Sequence, residues 1–249
     1  MDKINCNFKF ENTLGKYHWR PVTRVNFGGK DFIVKKDHHN SPEYKLYTNV
    51  RKKLEKDKMD HIINLPEKII RCGKYNYYVF EPLDIDYTGE YIEKMTNYKE
   101  FIDYTIQVCL QIFYANHILK LFHNDIALFT VKNIMIKKNS PTTIKVSKFS
   151  YEVKGNLAKV IDFGLAKSSP AAKVPKFYFI EKQKFPYISE IFTIYYNSCL
   201  FFFRQKFDTK INVYNKFLKK LEESGYKKKL KYFDIIILKH LFKLQEELK

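Results

Sequence analysis

Three side chains in the middle of the chain have the chemistry needed to move a phosphoryl group. Asp125 sits in Phe122-His123-Asn124-Asp125, Asn133 opens Asn133-Ile134-Met135, and Asp162 begins Asp162-Phe163-Gly164. A carboxylate at Asp125 could accept the proton of an acceptor hydroxyl. Asn133 and Asp162 could hold the Mg²⁺ that bridges the phosphates of a nucleotide. Each motif alone occurs by chance. Their weight comes from their order, and from the apolar strand Ala158-Lys159-Val160-Ile161 that leads into Asp162.

The elements that must position these groups follow from turn chemistry and hydrophobic period. Val22–Val25 is a short β-prone run, Asn26–Lys30 is a hairpin turn by its paired glycines, and Asp31–Lys36 is the returning strand. Ser41-Pro42-Glu43 has the order of a helix start: a capping hydroxyl, a proline in the first position, an acid in the first turn. That helix runs through Val50, with a second charged helical stretch towards Met59. Ile69-Ile70 and Tyr75–Phe80 read as two more strands, and Glu81-Pro82-Leu83-Asp84 as a linker. Beyond it the period becomes helical: Phe101, Tyr104, Val108, Ile112, Ala115 and Leu119 recur three to four apart and deliver the chain to His123. Asn133–Lys137, Thr143–Val146 and Leu157–Ile161 are strand-like, and the chain from Pro186 onward is helical in pattern. The expected class is α+β, with a strand-rich lobe over residues 1–82 and a larger helical lobe over 83–249.

Composition bounds the rest. The 249 residues are 45% hydrophobic and 17% aromatic with only 8 Gly and 8 Pro, which excludes a disordered or linker-rich chain. Cys6, Cys72, Cys109 and Cys199 are widely spaced, form no metal-ligand pair, and are expected as reduced thiols in a cytoplasmic setting. The apolar run Tyr187–Phe203 is short for a bilayer and carries Glu190 and Asn197, so it reads as a buried helix and no membrane partner is expected. A net charge of +18 invites nucleic acid, yet only five of the 45 basic residues are arginine. Bidentate phosphate and guanine recognition favours arginine, so solvated charge is the leading reading and nucleic acid the lesser one.

The motifs together resemble a divergent eukaryotic-type protein kinase, over about residues 12 to 167. Leu14-Gly15-Lys16-Tyr17-His18-Trp19-Arg20-Pro21-Val22 is similar in spacing to the kinase glycine-rich loop, with Gly15 at its first glycine and Val22 at the valine over adenine. Tyr17 and Arg20 stand at the other two glycines. Phe32-Ile33-Val34-Lys35 resembles the strand whose lysine meets the α- and β-phosphates. Strand alternation favours Lys35 over Lys36. Glu43, in a segment similar to the equivalent helix of vaccinia-related kinases, is the implied ion-pair partner, with Glu55 the alternative. Phe80 would be the gatekeeper and Glu81–Leu83 the hinge, Leu83 among the groups around adenine.

His123-Asn124-Asp125 resembles the kinase His-Arg-Asp loop, with Asn for Arg as in kinases of large DNA viruses and in choline-kinase-like and aminoglycoside-kinase-like enzymes. Asn133 follows Asp125 by eight residues, a longer loop than usual, with Leu128-Phe129-Thr130 as the additional residues. Ala127 replaces the usual cation, and Lys132 is the candidate substitute. The long interval between Asn133 and Asp162 resembles the extended hairpin of haspin-like kinases and of poxvirus, iridovirus and mimivirus-type kinases. After Gly164 the resemblance thins. Ser168 and Ser169 fall in a short activation-like segment, and no Asp brace for the catalytic loop is visible after Pro186, only Ser189 and Glu190 nearby.

The resemblance implies a bilobal, ATP- and Mg-dependent Ser/Thr protein kinase of viral type, located in host cytoplasm or virion, acting on a protein substrate. Asp125, Lys35 and Glu43 would be its catalytic groups, Gly15, Val22, Lys35, Phe80 and Leu83 would surround the nucleotide, and Asn133 and Asp162 would hold the metal. Three alternatives stand beside this reading: a pseudokinase scaffold or decoy, from the altered glycine loop, Ala127 and the lengthened loop; a small-molecule kinase, from the shared His-Asn-Asp; and a basic nucleic-acid binder, from the charge.

Overall fold

In a computed structural model, the described residues are 22–57, 59, 62–84, 95, 98–124, 133–168, 189–192, 194–195, 219 and 230–248. The chain divides into two compact units, Met1–Asp84 and Ile85–Lys249, against an expected division after residue 82. The class is α+β.

In the first unit, β1 (Val22–Phe27), β2 (Lys30–His38), β3 (Lys68–Cys72) and β4 (Tyr75–Phe80) form an antiparallel sheet in the order β1-β2-β4-β3. The β1–β2 turn works because Gly28 and Gly29 adopt φ of 60° and 80°, as a two-residue hairpin requires. Helix α1 (Pro42–Asp57) is one continuous helix where two stretches were expected. Its start is built as the residue order predicts: the Glu43 amide donates to Ser41 Oγ at 3.1 Å, and Pro42 occupies the first turn without losing a bond. Val34, Tyr77 and Val79 pack on one side of the sheet, while Tyr47 of α1 meets the Tyr78 and Phe80 rings on the other.

The second unit is built around α2 (Tyr98–Tyr114), which continues into a π-helical turn at Ala115–Leu119. Nearly every residue of α2 is buried, because it is packed on several sides. Strands β5 (Ile134–Lys137) and β8 (Leu157–Val160) pair with each other; between them in sequence lies the hairpin of β6 (Thr142–Val146) and β7 (Phe149–Val153). β7 was absent from the expected strands: its alternation places Phe149, Tyr151 and Val153 inside, with Ser150 and Glu152 outside. The hairpin buries Phe149 against Phe113 of α2 and Phe242 of α3 (Leu230–Glu247), with ring centroids at 6.0 and 5.6 Å.

Among the described residues β8 has one strand partner, β5, and buried glutamines complete its other edge. The Ala158 and Val160 amides donate to Gln107 Oε1 and Gln111 Oε1 at 2.9 Å each, and Gln111 Nε2 donates to the Ala158 carbonyl at 2.5 Å. Backbone groups that would otherwise be buried unpaired are thereby satisfied, and the strand entering Asp162 is locked to the central helix.

Among the described residues no helix is long and apolar enough to cross a membrane. Cys109 is a buried free thiol, but Cys72 is disulfide-bonded, which corrects the reading of all four cysteines as reduced. Of the expected buried helix at Tyr187–Phe203, residues 189–192 and 194–195 are described, and 190–192 and 194–195 are helical.

Candidate functional site

In the first unit, the β1–β2 and β2–β4 registers place Lys35 opposite Val22 and Tyr78, on the α1 side of the sheet. Lys35 Nζ donates to Glu43 Oε1 at 2.8 Å, with the two side chains 11% and 1% exposed. The cap at Ser41 starts the helix so that Glu43 faces inward at the second helical position. Glu55, the other candidate, pairs instead with Arg51 at 2.7 Å on the exposed helix face. Lys36 points to the opposite side, its ammonium 4.0 Å from the Tyr75 ring centre. The period-two argument therefore sorts the lysine pair as expected, and the geometry joins Lys35 to Glu43.

Tyr78, fully buried beside this pair, has its hydroxyl pKa pushed up to about 12, by burial first and then by the charges of Glu43 and Asp37. Phe80 and Leu83 are both buried. Gly15, like Tyr17 and Arg20, lies outside the described residues.

In the second unit the residues around Asp162 form a hydrogen-bonded frame. Ile134 pairs with Val160 across β5–β8, and the Ile161 amide donates to the Asn133 carbonyl at 2.9 Å. Asn133 thus stands across from Ile161, next to Asp162 at the same end of the two-stranded sheet. His123 closes the frame. Its Nε2 lies 2.7 Å from the Ile161 carbonyl, which can only accept, so this nitrogen carries the proton. The imidazole ring packs on Phe163 at 4.7 Å. Phe122 and Lys167 exchange two backbone bonds of 2.8 and 2.9 Å, pinning the segments before His123 and after Gly164 to each other.

Asp162 adopts a left-handed backbone, φ 56° and ψ 62°, and Phe163 is buried to 1% while Asp162 itself is exposed. The motif therefore divides its labour: the phenylalanine anchors in the core, and the aspartate stands at the surface. Among the described residues no group of three or more His, Cys, Asp or Glu could hold a metal. An amide oxygen from Asn133 and a carboxylate from Asp162 are nonetheless the hard oxygen donors that Mg²⁺ takes, usually one or two from protein with the rest from phosphate and water.

The brace that the sequence did not reveal is Glu190. Its Oε1 accepts from the Asn124 amide at 2.6 Å and its Oε2 from the His123 amide at 3.2 Å. Expecting an Asp was the error, since a carboxylate one methylene longer spans the same two amides. Burial raises the Glu190 pKa, and the hydrogen bonds from the Asn124 and His123 amides oppose that rise. Asn124 is at φ 61°, a conformation Asn tolerates far better than most residues, and its Nδ2 donates back to the Phe122 carbonyl at 3.2 Å. Asparagine at this position thus has a local reason: it lets two successive amides turn towards one carboxylate.

Asp125, Ala127, Leu128-Phe129-Thr130, Lys132 and Ser169 lie outside the described residues. Ser168 is exposed. No family model matches the chain, and no curated protein matches it.

Proposed function

We propose that the chain is a bilobal, protein-kinase-like phosphotransferase that moves the γ-phosphate of ATP to a Ser or Thr hydroxyl of a protein. The observation that carries this reading is the frame at Ile161, which ties His123 and Asn133 to the residue just before Asp162 through hydrogen bonds of 2.7 and 2.9 Å. A frame of this kind holds a metal-binding carboxylate and the start of a catalytic loop in fixed register, and phosphoryl transfer relies on positioning more than on covalent chemistry.

In this reading Asp125, two residues past His123, takes the proton of the acceptor hydroxyl. The hydroxyl oxygen bonds to the γ-phosphorus while the bond to ADP breaks. Lys35, aligned by Glu43, neutralises the α- and β-phosphates, with Gly15, Val22, Phe80 and Leu83 around the nucleotide. Asn133 and Asp162 would hold Mg²⁺, which when bound offsets the charge of the phosphate oxygens.

Wild-type protein incubated with labelled ATP and generic protein substrates should transfer phosphate, and Asp125→Ala should not. Equal incorporation by the two proteins would refute the assignment. Tyr17 and Arg20 in place of glycines, and Ala127 in place of a cation, favour a second reading as a pseudokinase scaffold. MgATP that raises the melting temperature of a protein unable to transfer phosphate would select that reading.

A further inference from the structure

A buried polar network lies behind Glu190 and reaches the last helix. Asp234 of α3 is 0% exposed, Ser189 1% and His117 8%. Ser189 Oγ accepts from the Phe192 amide at 3.0 Å, capping the helical segment that Glu190 begins. Its hydroxyl proton is therefore free to donate, and it does so to Asp234 Oδ1 in a very short contact. The other oxygen, Oδ2, lies 2.5 Å from His117 Nε2, with one proton between them. His117 sits in the π-helical turn that ends α2, six residues before His123. Asp234 thus holds both segments that flank the catalytic loop: the helix end that feeds His123 and the helix start that presents Glu190.

We propose that Asp234 is a positioning residue for the loop His123-Asn124-Asp125, acting through Ser189 on Glu190 and through His117 on the approach to His123. This rests on the phosphotransferase reading for its consequence, but not for its geometry. A carboxylate buried this completely is costly unless its oxygens are bonded, and burial does raise the Asp234 pKa, against the opposing His117 and Ser189 hydrogen bonds. The last helix therefore contributes more than packing: it supplies a rigid acceptor that sets where the Glu190 carboxylate stands.

Amide hydrogen exchange tests the geometry directly. In Ser189→Ala and Asp234→Ala, exchange at the His123 and Asn124 amides should accelerate about tenfold, the local loss expected for one hydrogen bond. The Ala158 and Val160 amides, bonded to glutamines away from the network, should hold to within about threefold. Asp234→Asn, which can still accept from Ser189 and bond His117, should restore protection, and Tyr232→Ala on the exposed face of α3 should leave it unchanged. Unaltered protection at His123 and Asn124, or equal loss at all four amides, would overturn the proposal. If wild type transfers phosphate, Ser189→Ala should lower kcat roughly tenfold with KM for MgATP within about twofold. A Ser189→Ala enzyme with wild-type kcat would refute positioning and leave the phosphotransferase reading standing. A wild type that transfers nothing refutes that reading, while the exchange data still decide the role of Asp234.

Discussion

Removing one side of the Lys35–Glu43 pair should destabilise the protein far more than removing both. The two side chains are 11% and 1% exposed and meet at 2.8 Å, so water cannot take the place of a deleted partner. Lys35→Met leaves a carboxylate buried beside Tyr78, and Glu43→Leu leaves a buried ammonium. Breaking a buried pair from one side costs about 3–5 kcal/mol, whereas replacing both partners by apolar groups of similar volume is often close to neutral. The expectation is a loss of about 3 kcal/mol or more for each single variant, with the double variant within about 1–2 kcal/mol of wild type. Urea midpoints, with m-values checked for constancy, give all four corners of the cycle. Additive losses in the double variant would refute the argument, because they would mean that each side chain is held by its own contacts and not by the other. Lys36→Met supplies the contrast. Its ammonium lies over Tyr75 on the opposite side of the sheet, and its loss should cost about 1 kcal/mol at most.

Three further outcomes follow from the second unit. Burial holds the Glu190 pKa above its ordinary 4.5, so its contribution to stability is greatest below that pH and declines as pH rises through the raised value. The stability difference between wild type and Glu190→Gln, measured by urea titration from acid to neutral pH, should therefore shift against wild type as pH rises; a flat difference would refute the raised pKa. Gln111→Leu strands the Val160 amide and the Ala158 carbonyl in the core and should cost about 2–4 kcal/mol in the same assay, a loss under about 1 kcal/mol counting against the edge-satisfying role. Asp162→Asn should leave the fold intact, because Asp162 is an exposed residue and asparagine keeps its size and tolerates its left-handed backbone, while weakening any Mg²⁺-dependent shift in melting temperature that ATP produces. A Mg²⁺-dependent shift equal to wild type would remove Asp162 from the metal site.

Much of the local structure is legible from residue order because its causes are local. Paired glycines dictate the first hairpin, Ser41-Pro42-Glu43 dictates where α1 begins, and strand alternation alone separates Lys35 from Lys36. β7 escaped because Phe149-Ser-Tyr-Glu-Val153 is short and adjoins lysines. Its alternation becomes decisive only once α2 and α3 supply aromatic partners for Phe149 and Tyr151. Glu190 escaped for a different reason. A search for an Asp tests identity, whereas two amides need only a carboxylate within reach.

The amino-acid sequence by itself determined which chemical groups are present and in what order: a carboxylate after a histidine, two oxygen donors downstream, a lysine on a strand and an acid at a helix start. Tertiary structure decided which of them meet. Glu43 and not Glu55 reaches Lys35, Asn133 and Asp162 come to one sheet end through the β5–β8 register, and Asp234 closes a network with residues 45 and 117 positions away. The physical reason is the range of the forces. Capping, alternation and turn strain act over a few residues and can be read along the chain. The partner of a buried charge or amide is chosen by packing, and packing brings together whatever distant side chain can satisfy it at least cost.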